Sequence, residues 1–124
     1  MDDSVMQFYD QLAGAYHLIF ADWRQAVRRQ GGVLDGIIRR QLDGAPLSVL
    51  DCSCGIGTQT IGLAERGYRV HGTDISPAAV KRARQEAGRA GRSPLASPIC
   101  ARSTHRSTAC SISLCPATTR CRTC

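Results

Sequence analysis

The sequence predicts an α/β fold. It reads as a partial doubly wound parallel sheet with an N-terminal helical cap and a disordered or irregular C-terminal tail. Three observations carry this. A short apolar run, Leu47-Ser48-Val49-Leu50, leads directly into a Gly-bearing turn, Asp51-Cys52-Ser53-Cys54-Gly55-Ile56-Gly57. A second run, Tyr68-Arg69-Val70-His71-Gly72-Thr73, ends on a carboxylate, Asp74, which lies 17 residues after Gly57. That spacing accommodates one helix and one strand. Ser76-Pro77 then supplies an N-cap and a first-turn proline for a further helix. Strand, helix, strand, helix is half of a doubly wound unit.

The elements follow in order. Ser4 can cap a first helix with Val5, Phe8, Tyr9, Leu12 and Ala13 at helical spacing. Gly14 marks a break, and a second segment carries Tyr16, Leu18, Ile19, Phe20, Trp23, Ala26 and Val27. Gly31-Gly32 interrupts it, and Val33, Leu34, Ile37, Ile38 and Leu42 form another stripe. Arg39 and Arg40 suit its C-terminal end, and Asp43-Gly44-Ala45-Pro46 stops it. The run 47–50 reads as a buried parallel strand. Thr58 to Glu65 is a helix closed by Gly67, and the helix after Ser76 runs from Ala78 to about Ala87. From about Gly91 no periodicity worth counting remains. The expected organisation is a helical cap at 1–45, the first half of a doubly wound domain at 46–90 and an unstructured tail at 91–124.

Charge and cysteine are both unevenly spread. The net charge of +6 arises wholly after residue 88, where six arginines meet no acid; residues 1–88 are neutral, with ten basic and ten acidic side chains. A neutral folded part argues against nucleic acid or an anionic membrane as partner. No apolar run approaches the ~20 residues that span a membrane. The acidic start, Met1-Asp2-Asp3, lacks the positive region of a signal peptide. The cysteines are read as thiols of a reducing cytoplasm.

The turn at 51–58 has the properties of a ligand loop. Gly55 and Gly57 let the chain turn sharply and let the backbone approach a ligand without a Cβ between them; Ser53 is small enough for the same purpose. A carboxylate at the end of the next strand, Asp74, can accept hydrogen bonds from two ribose hydroxyls. The dinucleotide pattern G-x-G-x-x-G fails, because Thr60 occupies the third glycine position. Asp51, ending the first strand, suits instead a ligand with a cationic amino-acid end.

The string VLDCSCGIGT…VHGTDIS resembles the first two motifs of class I S-adenosylmethionine-dependent methyltransferases, which share a Rossmann-like fold. Ser53 stands where Gly or Ala is usual. The string FYDQLAGAYHLIFADW looks like the helical lead-in of the glycine and sarcosine N-methyltransferase branch. The resemblance covers residues 6–90. It implies S-adenosyl-L-methionine as cofactor, held by Asp51, Cys52, Ser53, Gly55, Gly57, Thr58, Asp74 and Ile75, with Tyr16 and Trp23 as candidate aromatics closing over it, core packing being the competing reading of those two. It implies a small-molecule methyl acceptor, such as an amine. It names no catalytic side chain, and no metal is required, since the methyl donor is already activated.

The family's later motifs, an acidic adenine-contact segment and a strand of the type F-D-apolar-apolar, are not seen after Gly91. Fifteen arginines against one lysine suggest GC-rich coding DNA. Back-translated and read from the third base of each codon, residues 97–124 are compatible with ADLRALDAPLDRVFDLVVSCDNALPHL. That string resembles both motifs. A shifted reading frame beginning near residues 88–97 is therefore the expectation for the tail.

Other readings carry less. Cys52-x-Cys54 has the look of a metal or redox pair, but such loops accept small residues. His17 is a weak active-site candidate, and His71 lies mid-strand. Cys121-x-x-Cys124, with Cys110 and Cys115 upstream, lacks the paired spacing of a zinc knuckle. An Arg-rich RNA-binding arm and a nicotinamide-dependent or inert nucleotide-binding protein complete the alternatives.

Overall fold

The computed structural model describes residues 3–43, 48–90, 96–100 and 110–116. In chain order these give α1 (Asp3–Leu12), a 3-10 turn (Tyr16–Ile19), α2 (Trp23–Gln41), β1 (Ser48–Asp51), α3 (Thr58–Ala64), β2 (Arg69–Asp74), α4 (Pro77–Ala90), β3 (Ala96–Cys100) and β4 (Cys110–Pro116). The sheet order is β1-β2-β4-β3. β1 and β2 are parallel, with Val49 opposite Val70 and Leu50 opposite His71. β4 lies antiparallel to β2 and β3 antiparallel to β4. The parallel pair, its crossover helix α3 and the following α4 are the partial Rossmann-like unit the sequence predicts.

Several expectations need correction. Gly31-Gly32 does not interrupt a helix; α2 runs unbroken for 19 residues through both glycines. The reason is a close helix crossing. A Cβ at Gly31 would lie 2.5 Å from the Gly62 carbonyl group, and one at Gly62 would lie 2.4 Å from the Val27 carbonyl oxygen. The glycines let α2 and α3 touch backbone to backbone, and that contact outweighs their low helix propensity. Arg66 brackets the crossing, donating to the Gly62 carbonyl at 2.8 Å and to the Arg28 carbonyl at 2.7 Å. The helix start is also displaced: Asp22 is the N-cap, its side chain accepting from the Gln25 amide at 3.0 Å, and Tyr16–Ile19 is a separate turn.

The first helix begins at Asp3, so Ser4 lies inside it, and α1 has no buried residue. Val5, Phe8 and Tyr9 of its expected apolar stripe are exposed. Polar ties hold it instead. Asp10 accepts from the Ser76 hydroxyl and from the Ala78 amide at the start of α4. Arg82 donates to the Gly14 carbonyl at 3.1 Å and pairs with Glu86, which also meets Arg24 and Arg89.

Nor is β1 buried on both faces. Val49 and Val70 face a cluster formed with Leu34 and Ile38 of α2 and Leu63 of α3. On the other face Leu50 is 61 % exposed, and His71 opposite it is exposed as well. A second cluster joins Trp23 and Val27 of α2 to Cys54, Ile56, Ile61, Val80 and Ala83. The N-terminal segment and the parallel unit thus share one core. After Gly91, where no alternation was counted, the backbone forms strands at 96–100 and 110–116; the rest of the expected tail, with Cys121 and Cys124, lies outside the described residues.

Candidate functional site

The turn between β1 and α3 is built by its glycines. Gly55 has φ +51° and Gly57 φ +92°, both in the region that side chains disfavour. A Cβ on Gly57 would also press on Ile61 at 3.0 Å and Ala83 at 3.2 Å, whereas one on Gly55 would point into open space. Gly57 therefore serves packing, and Gly55 keeps the loop's outer surface clear. The Cys54 amide donates to the Thr73 carbonyl at 2.9 Å, tying the loop to the end of β2, and the Gly57 amide donates to the Cys54 carbonyl at 2.8 Å.

Two carboxylates hold this loop. Asp51 accepts from the Ser53 amide at 3.2 Å on Oδ1 and from the Thr60 hydroxyl at 2.7 Å on Oδ2. Asp74 accepts from the Gly55 amide at 2.9 Å on Oδ2 and from the Ser76 amide at 2.9 Å on Oδ1. Each carboxylate oxygen has room for a second donor, so neither residue is saturated.

Beside the loop lies a pocket of about 220 Å³. Its walls are Tyr16, Phe20 and Gln30 from the N-terminal segment, Asp51 and 53–56 from the loop, and Thr58 and Gln59 from α3. A complete small-molecule pocket is roughly 300–1,000 Å³, so this one is smaller than such a pocket.

Of the expected residues, Asp51, Ser53, Gly55, Thr58 and Tyr16 line the pocket. Asp74 and Ile75 sit half-buried at the end of β2, Cys52 is exposed and Gly57 is buried beneath the loop. Trp23 lies in the core at 8 % exposure and not at the pocket's rim; its indole N–H donates to the Thr58 hydroxyl at 2.9 Å. It acts on the pocket through Thr58. His17 meets Arg82 at 3.5 Å and is not among the lining residues. Cys54 does line the pocket, but burial, aided by the charges of Asp51 and Asp74, pushes its thiol up to about 12. It is a neutral, unreactive side chain at ordinary pH. Among the described residues, no group of three or more His, Cys, Asp or Glu is placed to hold a metal ion. No described helix is long and apolar enough to cross a membrane.

Residues 49–109 match the family model of a methyltransferase domain. No solved structure matches the chain. The methyltransferase match supports methyl transfer as the general chemistry. It contains the loop, Asp51, Thr58, Thr60 and Asp74, and it extends past Gly91 to residue 109. Sequence reading missed Phe20, Gln30, Cys54, Ile56 and Gln59 of the lining, and Thr60 behind Asp51. Thr60 carried a signal, since it stood where a glycine was sought. Gln30 carried none, because only the α2–α3 crossing brings it to a loop more than twenty residues away.

Proposed function

We propose that the loop binds S-adenosyl-L-methionine and that this fold serves methyl transfer to a small-molecule acceptor, an amine such as glycine or sarcosine. The observation that carries the reading is the Asp51 carboxylate lining the pocket, held by two donors and with acceptor positions to spare. A cationic amino-acid end fits such a group. The open surface above Gly55 fits close approach of a ligand to backbone. Asp74, at the adjoining strand end, is the acceptor for ribose hydroxyls. The methyltransferase match supports the same reading.

When bound, the cofactor supplies a methyl group already activated on a sulfonium. The chain's own residues bind and orient. Asp51 neutralises the ammonium, Asp74 fixes the ribose, and Tyr16 and Phe20 cover the ligand from the N-terminal side and keep water from it. Gln30 and Gln59 offer carboxamides that pair with no other described side chain. Free thiols at Cys52 and Cys54 suit a reducing setting, the cytoplasm.

The test is calorimetric titration of the 124-residue chain with S-adenosylmethionine, S-adenosylhomocysteine and NAD. The expected result is saturable binding of the first two and none of NAD. A folded chain that binds neither adenosyl compound overturns the reading. Turnover with glycine or sarcosine is expected to be low, because the pocket, at about 220 Å³, is smaller than a complete small-molecule site; robust methylation would refute that part.

A further inference from the structure

Among the described residues, Thr60 is the one fully buried polar side chain that touches the pocket's acid. It is 0 % exposed and its hydroxyl donates to Asp51 Oδ2 at 2.7 Å. A threonine hydroxyl in a helix can bond back to a carbonyl three or four residues earlier. This one reaches nine residues back, to the end of β1. A glycine at this position would leave that carboxylate oxygen without its donor.

We propose that Thr60 is a positioning residue: its hydroxyl fixes the Asp51 carboxylate in the orientation that receives the ammonium end of the ligand. The proposal rests on reading the loop as a site for S-adenosylmethionine. Three features support it. The bond is from a hydroxyl to a carboxylate, the short and strong class of hydrogen bond. Burial of Thr60 keeps water from its hydroxyl, which leaves the carboxylate as its partner. The second anchor, the Ser53 amide, holds the other oxygen, so the two donors together fix the plane of the carboxylate. Its remaining acceptor positions are left for the pocket.

The test compares two ligands and needs no turnover. S-adenosylhomocysteine carries the amino-acid end; 5′-methylthioadenosine shares the nucleoside and lacks that end. Affinities for both are measured on the full chain, on Thr60→Val, on Thr60→Ser, on Asp51→Asn and on Thr60→Val combined with Asp51→Asn. Thr60→Val should weaken S-adenosylhomocysteine about tenfold or more and leave methylthioadenosine within about twofold, since a hydrogen bond to a charged group is lost. Thr60→Ser should restore the lost affinity. In the Asp51→Asn background the valine should change S-adenosylhomocysteine binding by less than about twofold, because the two residues act as one unit.

Equal weakening of both ligands by Thr60→Val overturns the proposal, as does an undiminished effect in the Asp51→Asn background. If Thr60→Val loses its helical circular dichroism, Thr60→Ala is judged on the same pair of ligands. Failure of the unsubstituted chain to bind either ligand overturns the cofactor reading itself, and this proposal with it.

Discussion

The two faces of the β1–β2 pair are opposites. On one face Val49 and Val70 sit against α2 and α3, and Val70 is 1 % exposed. On the other, Leu50 and its partner His71 stand exposed. The same two strands therefore have a closed side and an open side. The loop after β1 packs through the other cluster, where Cys54 and Ile56 lie with Trp23, Ile61 and Val80. Neither Leu50 nor His71 belongs to that cluster, so the loop is fixed by packing that does not use the open face.

The largest effect should come from prising the closed face apart. Gly62→Ala places a methyl group on the Val27 carbonyl oxygen and should cost about 3 kcal/mol, at the upper end of overpacking penalties. Urea denaturation checks it. The next pair compares the faces directly. Val70→Ala should cost about 2 kcal/mol, whereas Leu50→Ala should change stability by less than about 0.5 kcal/mol. Equal losses at the two positions would break the comparison.

Acid should reach the closed face through Asp35. The Tyr68 hydroxyl at 2.6 Å and the Arg39 guanidinium at 2.7 Å hold its carboxyl below the ordinary value of 3.8. A carboxylate with a lowered folded pKa stabilises fully above its unfolded value and loses that contribution as pH falls through the folded one. Asp35→Asn should therefore flatten the acid limb of a thermal-stability profile below about pH 4. The smallest effect is chemical. Cys52 should alkylate readily in the folded chain, and Cys54 should resist until denaturant is added; mass mapping after iodoacetamide separates them. Cys54 also gives an alkaline signature. Between 9.0 and about 12 its thiol ionises only in the unfolded chain, so stability should fall as pH rises across that window.

What the sequence made legible was local chemistry. The loop glycines, the Ser76-Pro77 helix start and the strand-end carboxylates are each dictated by neighbours a few residues away. The Ala79 amide does donate to the Ser76 hydroxyl, at 3.1 Å. What it hid was set by contacts across the chain. Gly31 reads as a helix breaker until Gly62 is placed against it. Trp23 reads either as a lid aromatic or as a core residue until the helices are placed, and the structure puts it in the core. The run 47–50 reads as doubly buried because hydropathy records composition, not which neighbours exist. The tail illustrates the same limit. Its strand at 110–116 alternates Cys110, Ile112 and Leu114 with Ser111 and Ser113, a signal only five residues long, and its strand at 96–100 has no such pattern. A shifted reading frame beginning near residues 88–97 stays our proposal for its origin. Resequencing the coding DNA across codons 85–124 decides it: an interrupted shifted frame would refute the idea.

The bond from Trp23 to Thr58 has an optical consequence. Trp23 is the sole tryptophan of the chain, its ring lies 5.3 Å from the Arg24 guanidinium, and its N–H ends on a hydroxyl that lines the pocket. The tryptophan emission of this protein, excited beyond the tyrosine absorption band, thus comes from one buried indole bonded to the start of α3 beside the pocket. Unfolding should red-shift it, and a ligand that engages Thr58 should alter its intensity without the shift. A single unlabelled cuvette can therefore tell occupancy from denaturation.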